Sequence, residues 1–147
     1  MKLKVLSILL LILGMGLSSC RSRATATPSL EPVTVQDEAS LVKVLQEAGA
    51  TVETGDSITQ EFFTPEGQTL KVNGTDLQVF EYESAEAMEK EASQVAPDGG
   101  SIGTSMVTWI DTPHFYKAGR IIVLYLGNDQ AILDLLKKAL RPQFAGQ

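Results

Sequence analysis

Asn73-Gly74, set between two runs of alternating residues, constrains the fold of this chain more than any other stretch. Asn-Gly suits the two positive φ angles of a type I′ turn, the connection that lets two strands fold back with the correct twist. A two-residue loop then sets Val72 opposite Thr75, Lys71 opposite Asp76 and Leu70 opposite Leu77. That register puts an opposite-charge pair on one face and an apolar pair on the other. Residues 69–82 therefore read as a hairpin with Leu70, Val72, Leu77 and Val79 facing the core. Phe80 and Tyr82 fall on the other face, an unusual choice for a surface left to water.

Around this hairpin the chain alternates helical and extended signals. Leu41, Val42, Leu45 and Ala48 recur at helical spacing, with Thr34 or Asp37 as cap and Gly49 as stop. Thr51–Glu53 begins a short strand, Gly55–Ser57 reads as a turn, and Ile58–Phe63 reads as a second short strand. One of Phe62 and Phe63 is expected to enter the core. Ser84 caps a helix running to about Ala96, with Ala85, Met88, Ala92 and Val95 inward. Thr104–Ile110 and Arg120–Leu126 read as strands, the latter apolar on both faces as a central strand would be. The last helix covers about Gln130–Leu140. Its broad face is Ile132, Leu133, Leu135, Leu136, Ala139 and Leu140, its C-terminal cations suit the helix dipole, and Pro142 closes it.

Short strands joined by tight connections predict an α+β fold. We expect a two-layer sandwich, a mostly antiparallel sheet of about four to five strands with helices on one face. A mixed sheet in which helix 84–96 makes a parallel crossover is the alternative. The expected organisation is a signal segment at 1–19, an anchor and tether at 20–36, and a single domain at 37–144. The tether is rich in Ser, Thr, Ala and Pro and poor in large apolar residues.

The start of the chain points to an address. Lys2 and Lys4 precede an apolar run of roughly a dozen residues, short of the ~20 that a spanning helix needs. A charged start, a short apolar core and small residues at its end make a secretory signal. Its end, Leu17-Ser18-Ser19-Cys20, resembles the lipobox of bacterial lipoproteins. That resemblance implies a lipid on the Cys20 thiol and cleavage before it, so that the mature chain is membrane-anchored with no protein in the bilayer. Two or three acyl chains, which the family carries, hold stably where one does not. Arg21 follows Cys20 rather than Asp, which permits outer-membrane sorting if the source has two membranes. The implied localisation is extracytoplasmic, in the cell envelope.

Removal of the signal takes two lysines and no acid, leaving ten basic against eighteen acidic residues, a net −8. Such acidity argues against nucleic acid as a partner and against a domain lying flat on an anionic membrane. Cys20 is the only cysteine. Once it is lipidated no thiol remains for a disulfide, and packing alone must hold the domain.

Chemistry has one candidate location, the expected loop Asp111–Gly119 with Trp109 just before it. It contains the only His, the only Trp and two further aromatics. Trp109, Asp111, His114, Phe115 and Tyr116 form the expected binding surface, with aromatic contact area and a polar His–Asp pair. The competing reading is a loop that folds Phe115 and Tyr116 back over the sheet end. His114 with Asp111 and the upstream Ser and Thr residues can be drawn as a catalytic set, but no nucleophile elbow such as G-x-S-x-G is present. No catalytic residue is assigned. One His and no free Cys give no metal set, and Gly99–Gly103 lacks the Lys and helix of a phosphate loop, so no cofactor is expected.

Residues 72–82, 101–110 and 113–127 resemble small bacterial lipoproteins of unassigned function. That likeness implies a single envelope domain and brings no assigned activity with it. The expected function is a lipid-anchored binding or scaffold module without catalysis, joined to the membrane at Cys20 and open to an envelope protein partner. The alternative is a small-molecule-binding or hydrolytic domain using the Trp109–Tyr116 loop.

Overall fold

The computed structural model describes residues 34–147, and the signal segment, Cys20 and most of the tether lie outside them. The elements in order are α1 (Glu38–Glu47), β1 (Val52–Ile58), β2 (Gly67–Val72), β3 (Thr75–Glu81), α2 (Ala85–Ala92), β4 (Ser101–Ile102), β5 (Ser105–Met106), β6 (Pro113–Ala118), β7 (Ile121–Leu126), α3 (Gln130–Leu140) and β8 (Ala145–Gly146). Six strands make one sheet in the order β1-β2-β3-β7-β6-β8, and β4 pairs with β5 apart from it. Every strand pair is antiparallel. The fold is α+β, as expected, and the parallel crossover is excluded because β3 runs antiparallel to β7.

The hairpin has the expected register, Leu70↔Leu77, Lys71↔Asp76 and Val72↔Thr75. Asn73 and Gly74 hold the positive φ angles that the turn requires, 51° and 85°. Lys71 Nζ lies 3.3 Å from Asp76 Oδ1. Leu70, Val72, Leu77 and Val79 are all buried.

The sheet is wider than expected and is covered on both faces, which corrects two expectations. One face carries Leu77, Val79, Ile121, Val123 and Tyr125 and packs on Leu41 and Leu45 of α1 and Ile132, Leu136 and Leu140 of α3. The other carries Phe80, Ile122 and Leu124 and packs on Met88 and Ala92 of α2, with Phe63 and Ile102 from the flanking segments. Alternate residues of β3 and β7 are thus buried in opposite directions, as the pleat dictates. Phe80 and Tyr82 face this second layer and not water. Full burial of side chains such as Ile122 and Leu124 contributes about 1.5–3 kcal/mol each.

Four further differences have local causes. The two expected strands at 51–63 are one strand, β1, whose register shifts between Thr54 and Ser57. Gly55 and Asp56 form a bulge in place of the expected turn. Residues 107–112 are irregular, and the strand expected at 104–110 is reduced to the two-residue β5. The expected loop at 111–119 is mostly strand β6, in register with β7 from Pro113↔Leu126 to Ala118↔Ile121. Pro113 opens β6, and the first position of a strand tolerates the missing N–H. The sheet also runs past the expected boundary at 144, since Ala145 pairs with Phe115 and Gly146 with His114.

The helix signals held closely except at the end of α2, which stops at Ala92 and not at about Ala96, leaving Val95 to bridge Ile102. Asp37 caps α1 by accepting from Ser40 N at 2.9 Å, Ser84 caps α2, and α3 has the expected bounds with Asp129 as cap. Glu81 ties α1 to the sheet: its Oε2 accepts from Glu38 N at 2.9 Å and its Oε1 meets Arg120 at 2.5 Å. A carboxylate at a helix N-terminus complements the dipole.

Candidate functional site

Strand geometry separates the five residues expected to share a surface. In β6 successive side chains point to opposite faces. Phe115 is fully buried among α2 and its neighbours, whereas Tyr116 is buried on the α1–α3 face. Trp109 is half-buried beside the same layer as Phe115, its ring meeting Phe62 at 5.6 Å and Phe115 at 5.7 Å, both edge-on. Its indole Nε1 donates to the Gly99 carbonyl at 2.7 Å. Trp109 therefore caps a core. Asp111 is exposed and accepts from Thr112 N at 2.7 Å and from Asn128 Nδ2 at 3.1 Å. No hydrogen bond joins it to His114 among the described residues. The five do not form one binding surface.

His114 and Tyr116 do stay together, on the face shared with α3. His114 is only 4% exposed. Its ring stacks on Tyr125 with centroids 5.9 Å apart and planes 21° apart. Nδ1 lies 2.7 Å from Gln143 Oε1. With that carbonyl accepting, the neutral ring carries its proton on Nδ1 and presents a lone pair at Nε2. Nε2 is buried and has no hydrogen-bond partner among the described residues. It is the one such side-chain atom found there, and native structures rarely leave a polar group in that state.

A cleft of about 290 Å³ lies against these residues. Its walls are His114 and Tyr116 from β6, Gln130, Leu133, Asp134 and Lys137 from α3, and Pro142, Gln143 and Gln147 from the C-terminal segment. Gln130 Nε2 donates to Asp134 Oδ1 at 2.8 Å, steadying the carboxylate. Burial, then the charge of Asp134, then Tyr125 push the Tyr116 hydroxyl above its ordinary pKa, so it remains a donor. Lys137 has no ionic partner among the described residues. The residues lining the cleft thus carry acceptors at Asp134 and at His114 Nε2, the latter shielded from solvent, and donors at Tyr116, Lys137 and the Gln143 amide.

Two larger hollows differ in kind. One of about 460 Å³ borders Lys117, Glu89 and Phe144, whose groups already meet one another through an ion pair and a cation over a ring. Another, of about 480 Å³, borders Tyr82 and Glu91. There Glu91 accepts from the Tyr82 hydroxyl at 2.8 Å, from Thr64 N at 3.1 Å and from the Thr64 hydroxyl. Burial, followed by that bond, drives the Tyr82 pKa upward. Glu91 is a clamp between a loop, a strand and a helix.

Sequence reasoning found His114 and Tyr116 but missed Gln143, Asp134 and Lys137. Asp134 and Lys137 stand three apart on α3, so their sharing of a helix face was readable. Nothing in the sequence pairs Gln143 with His114, twenty-nine residues away. Among the described residues no cluster of three or more His, Cys, Asp or Glu side chains is placed to hold a metal ion. Nor is any described helix long and apolar enough to cross a membrane. Comparison with family models, curated proteins and solved structures gave no match.

Proposed function

We propose that the chain is a lipid-anchored, extracytoplasmic binding module of the cell envelope, held at Cys20, that takes a small polar ligand in the cleft beside His114 and Tyr116. One observation carries the ligand reading: a buried imidazole lines a cleft with its Nε2 unpartnered. An orphaned buried acceptor costs about 1–3 kcal/mol, which a ligand donor would relieve. Among the described residues no Ser, Thr or Cys lines the cleft, so the lining supports binding rather than acyl transfer. The anchor rests on the lipobox resemblance at residues 17–20.

The test uses the full-length chain, extracted from membranes in detergent and heated with and without a size-filtered envelope extract. The extract raises the wild-type melting temperature and leaves His114→Phe unmoved. An equal response of both proteins would remove the site. Separately, Cys20→Ala shifts the protein from the membrane to the soluble fraction, and retention on the membrane would remove the lipid anchor.

Exposed apolar side chains favour a second reading, an adaptor that contacts an envelope protein. Met106 and Ile110 are 92% and 94% exposed on the segment around β5. Cross-linking in cells would show one partner lost in a Met106→Ser/Ile110→Ser double variant, and a pattern unchanged by it would discard this reading.

A further inference from the structure

We propose that the ligand of the His114 cleft is a small zwitterion carrying both an ammonium and a carboxylate, the charge pattern of a free amino acid. The inference rests on the reading of this cleft as a ligand site. It follows from the signs of the groups around it. Asp134 and Lys137 stand on one side of the cleft, one helical turn apart on α3. A ligand that is only cationic leaves Lys137 opposed, and one that is only anionic leaves Asp134 opposed. A ligand with both charges satisfies both. The hydrogen-bonding groups divide the same way. The His114 Nε2 lone pair and the Asp134 carboxylate suit an ammonium, which donates three hydrogen bonds. The Tyr116 hydroxyl, the Lys137 ammonium and the Gln143 amide suit a carboxylate, which only accepts. A cleft of about 290 Å³ has room for a molecule of this size.

The probes for the full-length chain in detergent are glycine, L-serine and L-glutamine as zwitterions, ethanolamine as cation, propionate as anion and glycerol as neutral. Calorimetric titration is expected to show at least one zwitterion binding about tenfold or more tighter than the single-charge and neutral probes, the worth of one charged contact. Asp134→Asn weakens the zwitterion while narrowing its lead over propionate. Lys137→Gln weakens it while narrowing the lead over ethanolamine. Both positions are exposed on α3, so these variants leave the core intact even where a His114 variant does not. If glycerol or a single-charge probe binds as well as any zwitterion, or both variants bind like wild type, the zwitterion is overturned. If no probe binds but the envelope extract still stabilises the protein through His114, the zwitterion falls and the cleft reading stands. If neither probes nor extract act, both fall.

Discussion

Gln143 Oε1 lies 2.7 Å from His114 Nδ1, and this one contact decides which ring nitrogen is left over. It brings the C-terminal segment onto β6, fixes the imidazole against Tyr125, and leaves Nε2 buried with no partner among the described residues. A polar atom kept in that state lowers stability unless a ligand meets it, and such local conflicts mark functional positions.

His114→Phe tests that conflict in the absence of ligand. The substitution keeps the stack on Tyr125 but loses one hydrogen bond and removes one orphaned acceptor. These effects oppose each other, so we expect stability within about 1 kcal/mol of wild type. Urea unfolding checks it. A loss of several kcal/mol would mean that Nε2 has a structural partner.

The apolar side chains between residues 110 and 115 divide by burial. Phe115→Ala empties a fully buried position and should cost about 3–5 kcal/mol. Ile110→Ser changes a side chain that is almost wholly exposed and should shift stability by less than about 0.5 kcal/mol. Comparable midpoints for the two variants in denaturant titrations would contradict the strand register of β6.

Two glycines separate backbone strain from packing. At Gly74 an added Cβ meets nothing within 4 Å, but φ is +85°, so Gly74→Ala should cost about 1 kcal/mol. At Gly67 a Cβ would lie 2.6 Å from the Phe80 ring, itself fully buried. Gly67→Ala should therefore cost more, about 2 kcal/mol or above. The reverse order, measured by thermal unfolding, would place Phe80 elsewhere.

The α1 cap gives stability an acid limit. The Ser40 hydroxyl and backbone bonds to Asp37, with a smaller effect of Arg120, hold its pKa below the ordinary 3.8, against the opposing effect of burial. The folded state then binds this proton less readily than the unfolded state. Its contribution is complete above pH 3.8 and is lost as pH falls through the lower folded value. Asp37→Asn keeps a capping oxygen without the titration. The stability lead of wild type over Asp37→Asn should shrink as pH drops below about 4, and a constant lead across that range would show that the carboxylate charge is not engaged.

The legible parts of the sequence were those where local chemistry and burial agree. Asn73-Gly74 fixed a register because turn type and side-chain pairing gave the same answer. Asp37, Ser84 and the Ile132–Leu140 stripe set the helices for the same reason. Phe80 and Tyr82 announced a second covered face by sitting where water was expected, yet the helix that covers them, α2, has a mostly small and polar surface that hid its role. β6 was unreadable as a strand because Pro113, His114 and Lys117 look like loop residues, and only pairing with β7 and β8 makes them extended. Thr104–Ile110 had strand composition, but only Ser105 and Met106 find strand partners, and the Trp109 indole bonds to the Gly99 carbonyl. The candidate site was half legible. His114 and Tyr116 are neighbours in sequence on one strand face, whereas Gln143 and α3 reach them only through the tertiary fold.

His114 is the only histidine in the chain, so one imidazole gives one unambiguous ring signal. The most direct measurement is the ¹⁵N spectrum of that ring, recorded on the full-length protein in detergent before and after addition of the envelope extract. The account predicts a ring protonated at Nδ1 with a bare Nε2, and an Nε2 resonance that moves when the extract is added. A ring protonated at Nε2, or an Nε2 resonance indifferent to the extract, would contradict it.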